Sequence, residues 1–147
     1  MGRGDEVYPL DLALELPIVL ILGDFSISTA EAYGSLRLTK RDPSFKLQHF
    51  AWGDRCVRSR LGELVNDLET ATGRHSTSIQ ENKRLLLERG ATSSMMTGSG
   101  AAVYGVFQSD EVAKRASDSL NRDGIRAVTT STIAGETYRN NVLSSDA

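Results

Sequence analysis

Cysteine is almost missing from this 147-residue chain: Cys56 is the only one, so no internal disulfide can form and a reducing compartment is the natural setting. Long hydrophobic runs are missing too. The longest, PIVLIL at 17–22, is far shorter than the roughly 20 residues that a membrane-spanning helix needs. Residues 1–12, MGRGDEVYPLDL, hold no apolar stretch ahead of a cleavage site, and Glu6 stands where a myristoylation signal takes Ser or Thr. Nor is there a run of one charge: 17 basic and 19 acidic residues are spread along the chain, for a net charge of −2. Neither nucleic acid nor a membrane is therefore an expected partner, and the cytoplasm is the expected location. His49 and His75 are far apart and lack Cys or acidic companions, so no metal site is expected.

The composition that remains is that of an ordinary globular chain, 39% hydrophobic and 24% charged, long enough for one domain with a real core. Ile18–Leu22 is a continuous apolar run rich in β-branched residues and predicts a buried strand. Ser28 with Glu31 three residues on forms a capping box, which predicts a helix to about Leu36. Pro43 interrupts the following stretch, in which a helical turn is expected around 46–52. Val57, Leu61, Leu64, Val65 and Leu68 share one helical face, with Asp54 as its cap, and predict the clearest helix in the chain. After a loop at 73–77, a helix is expected near 78–89, ended by Gly90. Strands are expected over 92–96 and 101–107. Ser109 caps a helix carrying Asp110 and Glu111 in its first turn, with Val112, Ala116 and Leu120 on one face and Gly124 at its end. A threonine-rich strand over 125–133 precedes a polar tail.

The most informative stretch is MMTGSGAAVYGVF, residues 95–107, in which four small residues divide two apolar runs. It is not a Walker A loop, since neither the Lys-Ser/Thr pair nor a following helix is present. Nor is it a dinucleotide fingerprint, because Ala101-Ala-Val103 follows Gly98-x-Gly100 without a third glycine. Two readings remain open: a hairpin turn that needs positive φ, and a nest of backbone N–H groups that converges on an anion. Elsewhere, Ser28 and Thr29 read as caps before substrate contacts, and Asn66, Asp67 and Glu69 as a solvated polar face. Asp24 reads as a loop acid, Tyr33 and Trp52 as core, and Cys56 as a small buried hydrophobe.

Residues 96–107 resemble the third conserved motif of the GHMP kinases. Other stretches agree in order and spacing: IVLIL at 18–22, STAEAY at 28–33, LVNDLE at 64–69, the helix from Ile79 to Ala91, and GRGDE at 2–6, which resembles an inter-domain segment. The similarity is closest to the branch that phosphorylates the 2-hydroxyl of 4-diphosphocytidyl-2-C-methyl-D-erythritol in non-mevalonate isoprenoid synthesis. The resemblance implies an α+β, ferredoxin-like layered sandwich, an antiparallel or mixed sheet with helices on one face. It implies an inter-domain segment over 1–16, a GHMP kinase C-terminal domain over 17–138, and a tail over 139–147 that is open to disorder.

The resemblance covers only the family's second domain. The serine-rich P-x-x-x-G-L-x-S-S loop and catalytic aspartate of the first are not found in residues 1–147, so the ATP-binding domain is expected to be absent and the chain alone inactive. ATP and magnesium are the implied cofactors, held through that domain. The implied partners are a small-molecule substrate and an N-terminal kinase domain in cis or in trans; with the family's domain interface left exposed, self-association into a homodimer is a further expectation. The implied site is Thr97, Gly98, Ser99, Gly100 and Ala101, close to substrate and phosphate, with Ser28, Thr29, Asn66 and Asp67 secondary and no catalytic residue in the chain. The alternatives are another GHMP kinase of the homoserine or mevalonate type, and a non-catalytic small-molecule-binding or pairing module on the same fold.

Overall fold

The structure, a computed structural model, describes residues 14–25, 27–36, 61–63, 65–98 and 100–144. Four strands, β1 (Pro17–Ile21), β2 (Ser93–Met96), β3 (Val103–Val106) and β4 (Ala127–Ser131), form one sheet in the order β2-β3-β1-β4. Every pairing is antiparallel. The helices are α1 (Thr29–Ser35), α2 (Ser76–Glu88), α3 (Asp110–Arg122) and α4 (Gly135–Ser144). With α2 between β1 and β2, and α3 between β3 and β4, this is the ferredoxin-like βαββαβ arrangement that the resemblance implies.

The register explains the composition of β1. Ile21 lies opposite Val103 on one side and Ala127 on the other, and Val19 opposite Gly105 and Thr129. Directly opposed residues share a face, so Val19, Ile21, Val103 and Met96 all point to the side covered by α2 and α3. There they meet Ile79 and Leu86 of α2, Ala113, Ala116 and Leu120 of α3, and Phe107. Each large side chain in this core contributes on the order of 1.5–3 kcal/mol by leaving water. On the opposite face Ile18 and Leu20 are half-buried, which is why β1 reads as a continuous apolar run.

The helix ends follow local chemistry. The Ser28 and Ser109 hydroxyls accept from the backbone N–H groups of Glu31 and Val112, as the capping patterns predict. Helix α2 starts earlier than expected, at Ser76, and a 3-10 turn at Gly73–His75 fills part of the predicted loop. In α3 the buried face is Ala113, Ala116, Ser117 and Leu120, with Val112 at its margin. The final strand is shorter than expected, and most of the predicted polar tail is taken up by α4.

The larger departure is the predicted helix over 57–68. Its described part is two 3-10 turns, Leu61–Glu63 and Asp67–Ala71, separated by an extended Asn66. The Asn66 side-chain oxygen accepts from the Leu68 N–H, which starts a new turn and stops a helix from running through. Val65 consequently faces water, 69% exposed, although the helical spacing places it on the apolar face. Tyr33, expected in the core, is likewise exposed. The expectations for 46–52, His49, Trp52 and Cys56 lie outside the described residues.

Candidate functional site

The segment between β2 and β3 is a hairpin connection. The Thr97 N–H donates to the Ala102 carbonyl at 2.9 Å, and the Gly100 N–H donates to the Thr97 carbonyl at 2.9 Å. Gly98 and Gly100 both have positive φ, +46° and +101°. At Gly100 a Cβ would also stand 2.9 Å from the Ile27 Cδ1 and 3.1 Å from the Met96 sulfur, whereas at Gly98 it would enter open space. Gly100 is therefore fixed by packing as well as by conformation, and Gly98 by conformation alone. The hairpin reading of the sequence holds, and it commits two backbone donors internally. Gly98, on the exposed side, is the part of the loop presented outward. Ala101 is buried against the body of the domain, and Ser99 lies outside the described residues.

The loop is held from outside by the N-D-L-E segment. The Asn66 amide donates to the carbonyls of Met96 (3.1 Å) and Gly98 (2.8 Å), and the Glu69 carboxylate accepts the Met96 N–H at 2.9 Å. Its other oxygen is paired with Lys83 of α2 at 2.6 Å, with both side chains largely buried. Met96 lies on the outer strand of the sheet, so Asn66 and Glu69 together satisfy the polar groups that a neighbouring strand would otherwise take. The expectation that these residues form a solvated face is thus corrected for Asn66 and Glu69. The spacing of three, read as helical, instead sets two side chains on either side of one strand residue.

Beside the loop, on the sheet face turned away from α2 and α3, lies an open groove of about 600 Å³. Tyr33 of α1, Leu36 just after it, Val65, Met95 and Tyr104 supply its apolar walls, and Asp67, Thr97 and Gly98 its polar rim. Lys and Arg are absent from its lining among the described residues. The Tyr104 hydroxyl is pushed above the usual tyrosine range, first by burial and then by the negative charge of Glu69. Among the described residues no group of three His, Cys, Asp or Glu side chains could hold a metal ion, and no helix is long and apolar enough to cross a membrane.

Of the residues singled out in the sequence, the structure brings Thr97, Gly98, Asn66 and Asp67 to this groove, with Gly100 and Ala101 behind them. Ser28 and Thr29 stand at the other end of α1 and do not line it. His75 is stacked on Phe25, ring centroids 4.2 Å apart. Sequence reasoning missed Tyr33, Met95 and Tyr104 as groove residues. Period-2 alternation in VYGV could have found Tyr104, since its neighbours Val103 and Gly105 take the core face.

Residues 56–126 match the family described as GHMP kinases C terminal. Curated relatives at about 35% identity carry the name 4-diphosphocytidyl-2-C-methyl-D-erythritol kinase, two of them as follows. The protein from Citrifermentans bemidjiense is 36% identical over 119 residues, which is 78% of this chain and 40% of that protein. The protein from Syntrophotalea carbinolica is 35% identical over 127 residues, 86% of this chain and 44% of that protein. The chain thus spans less than half the length of the curated relatives it matches. A crystal structure of 4-(cytidine 5'-diphospho)-2C-methyl-D-erythritol kinase superposes with a TM-score of 0.70 at 24% identity, over 88% of this chain and 47% of that one, and supports the fold.

Proposed function

The chain carries a C-terminal domain of the GHMP kinases, and we propose that this domain serves an ATP-dependent kinase that phosphorylates the 2-hydroxyl of 4-diphosphocytidyl-2-C-methyl-D-erythritol, in the cytoplasm, for non-mevalonate isoprenoid synthesis. The observation that carries the reading is the hairpin loop fixed by Asn66 and Glu69, which sets Gly98 and Thr97 on the rim of an aromatic groove. Phosphoryl transfer asks a protein mainly to position groups and stabilise charge. A loop pinned at Met96 and Gly98 is suited to positioning, and the Thr97 hydroxyl to a hydrogen bond with substrate or phosphate. Charge stabilisation is assigned to an N-terminal ATP-binding domain, in cis or in trans, with ATP and magnesium. The groove lining described above holds Asp67 and no cation, so it suits the uncharged parts of a ligand better than a triphosphate.

The test is transfer of labelled phosphate from ATP to the diphosphocytidyl methylerythritol substrate. The chain is assayed alone and mixed with a separately expressed N-terminal domain of one of its relatives. Turnover is expected in the mixture and only background from either part. In the mixture, Thr97→Ala and Gly98→Val should lower turnover per folded molecule with little loss of fold. Substrate binding without transfer in any combination would favour the non-catalytic binding module instead. No binding and no transfer would overturn the proposal.

A further inference from the structure

We propose that the β4 edge of the sheet is a self-association surface, at which two copies of this chain pair their β4 strands antiparallel about a two-fold axis at Thr130. In the β1–β4 register, Leu22 N–H to Arg126 carbonyl and Thr132 N–H to Leu16 carbonyl place the even-numbered residues toward β1. The backbone groups of Ala127, Thr129 and Ser131 therefore face outward. Ala127 is satisfied: Asn121 donates to its carbonyl at 2.9 Å and accepts from its N–H at 3.0 Å. Thr129 and Ser131 have no such cover among the described residues, and both are exposed. Two further apolar side chains stand exposed beside them, Val128 at 44% and Ile133 at 60%.

The flanking charges select the occupant. Asp110 and Lys114, one helical turn apart at the start of α3, line the same cleft as Thr129 and Ser131. Among the described residues neither belongs to an ion pair. A two-fold axis at Thr130 pairs Thr129 of one copy with Ser131 of the other in both directions. It also brings the acidic end of one cleft to the basic end of its partner. An interface of this kind is self-complementary, which a peptide of one charge would not satisfy. Val128 and Ile133 lose exposure in the same arrangement.

The experiment is sedimentation velocity on the full chain over a range of concentrations, with circular dichroism as the check on fold. A concentration-dependent species of about twice 16.0 kDa is expected. Thr129→Pro removes an outward N–H that the sheet does not use, so it should leave the fold intact and weaken dimerisation by roughly tenfold or more. Asp110→Lys and Lys114→Asp should each weaken the dimer, and the two together should restore it. Thr130→Cys in a Cys56→Ser background should cross-link under mild oxidation, since residue 130 faces its own copy at a non-hydrogen-bonded position. A chain that stays monomeric at millimolar concentration would overturn the proposal. So would a dimer that Thr129→Pro leaves unchanged, because its interface must then lie elsewhere.

Discussion

The two edges of the sheet solve the same problem by different means. At β2 the outward groups of Met96 are taken by Asn66 and Glu69, nearly thirty residues earlier in the chain, and Asn66 continues on to the Gly98 carbonyl. At β4 the outward groups of Ala127 are taken by two residues of the preceding helix, Asn121 at both its N–H and its carbonyl and Ser117 at the carbonyl as well, and the cover stops there. Closure by a neighbour in sequence needs little chain ordering and leaves the rest of the edge open. Closure by a distant segment fixes more of the structure at once. It ties the 3-10 turn, helix α2 through Lys83, and the glycine hairpin into one unit. The first edge builds a site and the second leaves a surface.

Substitutions can test how firmly that contrast holds. The largest effect is expected at Gly100: Gly100→Val meets both a φ of +101° and the Ile27 side chain, and should cost about 3–4 kcal/mol in chemical denaturation. Gly98→Ala, at +46° with open space around its Cβ, should cost only about 1 kcal/mol. Equal losses at the two positions would show that packing does not distinguish them. Next comes Glu69→Ala, which strands Lys83 and the Met96 N–H and should cost about 2–3 kcal/mol. Its combination with Asn66→Ala should be less than additive, since both act on Met96.

At the other edge, Asn121→Ala should cost about 2 kcal/mol by freeing the Ala127 N–H and leaving its carbonyl to the Ser117 hydroxyl alone. It should also strengthen self-association in sedimentation, because a longer stretch of β4 becomes available for pairing. Unchanged association would mean that Asn121 does not limit the open edge.

The smallest effect concerns pH. Burial and the Glu69 charge raise the Tyr104 hydroxyl above its unfolded value. The folded state then keeps a proton that the unfolded state loses. Stability is therefore fully present below about pH 10 and falls as pH rises through the folded value. Tyr104→Phe should flatten the alkaline limb of a pH-stability profile and leave the neutral region nearly unchanged.

Much of this molecule was legible from short-range patterns. The Ser28 and Ser109 caps, the glycines after α2 and α3, the apolar run of β1 and the hairpin at 97–102 all follow from local chemistry, and each stands where the sequence places it within a residue or two. The N-D-L-E segment did not read correctly, because its apolar spacing satisfied a helical template. The preference of Asn66 for its own Leu68 N–H and for two distant carbonyls outweighed the helix, and no local pattern reports on a carbonyl some thirty residues away.

The sequence by itself determined the family, the α+β class and the position of the glycine hairpin, because these rest on caps, periodicity and turn residues that act over a few positions. Only the tertiary structure decided which residues hold the hairpin, that Tyr33 and Tyr104 share a groove with it, and which stretch of β4 stays open. Those outcomes depend on strand order and register. These bring Asn66 against Met96 and leave Thr129 and Ser131 at an edge, through contacts between segments whose separation in the chain carries no local signal.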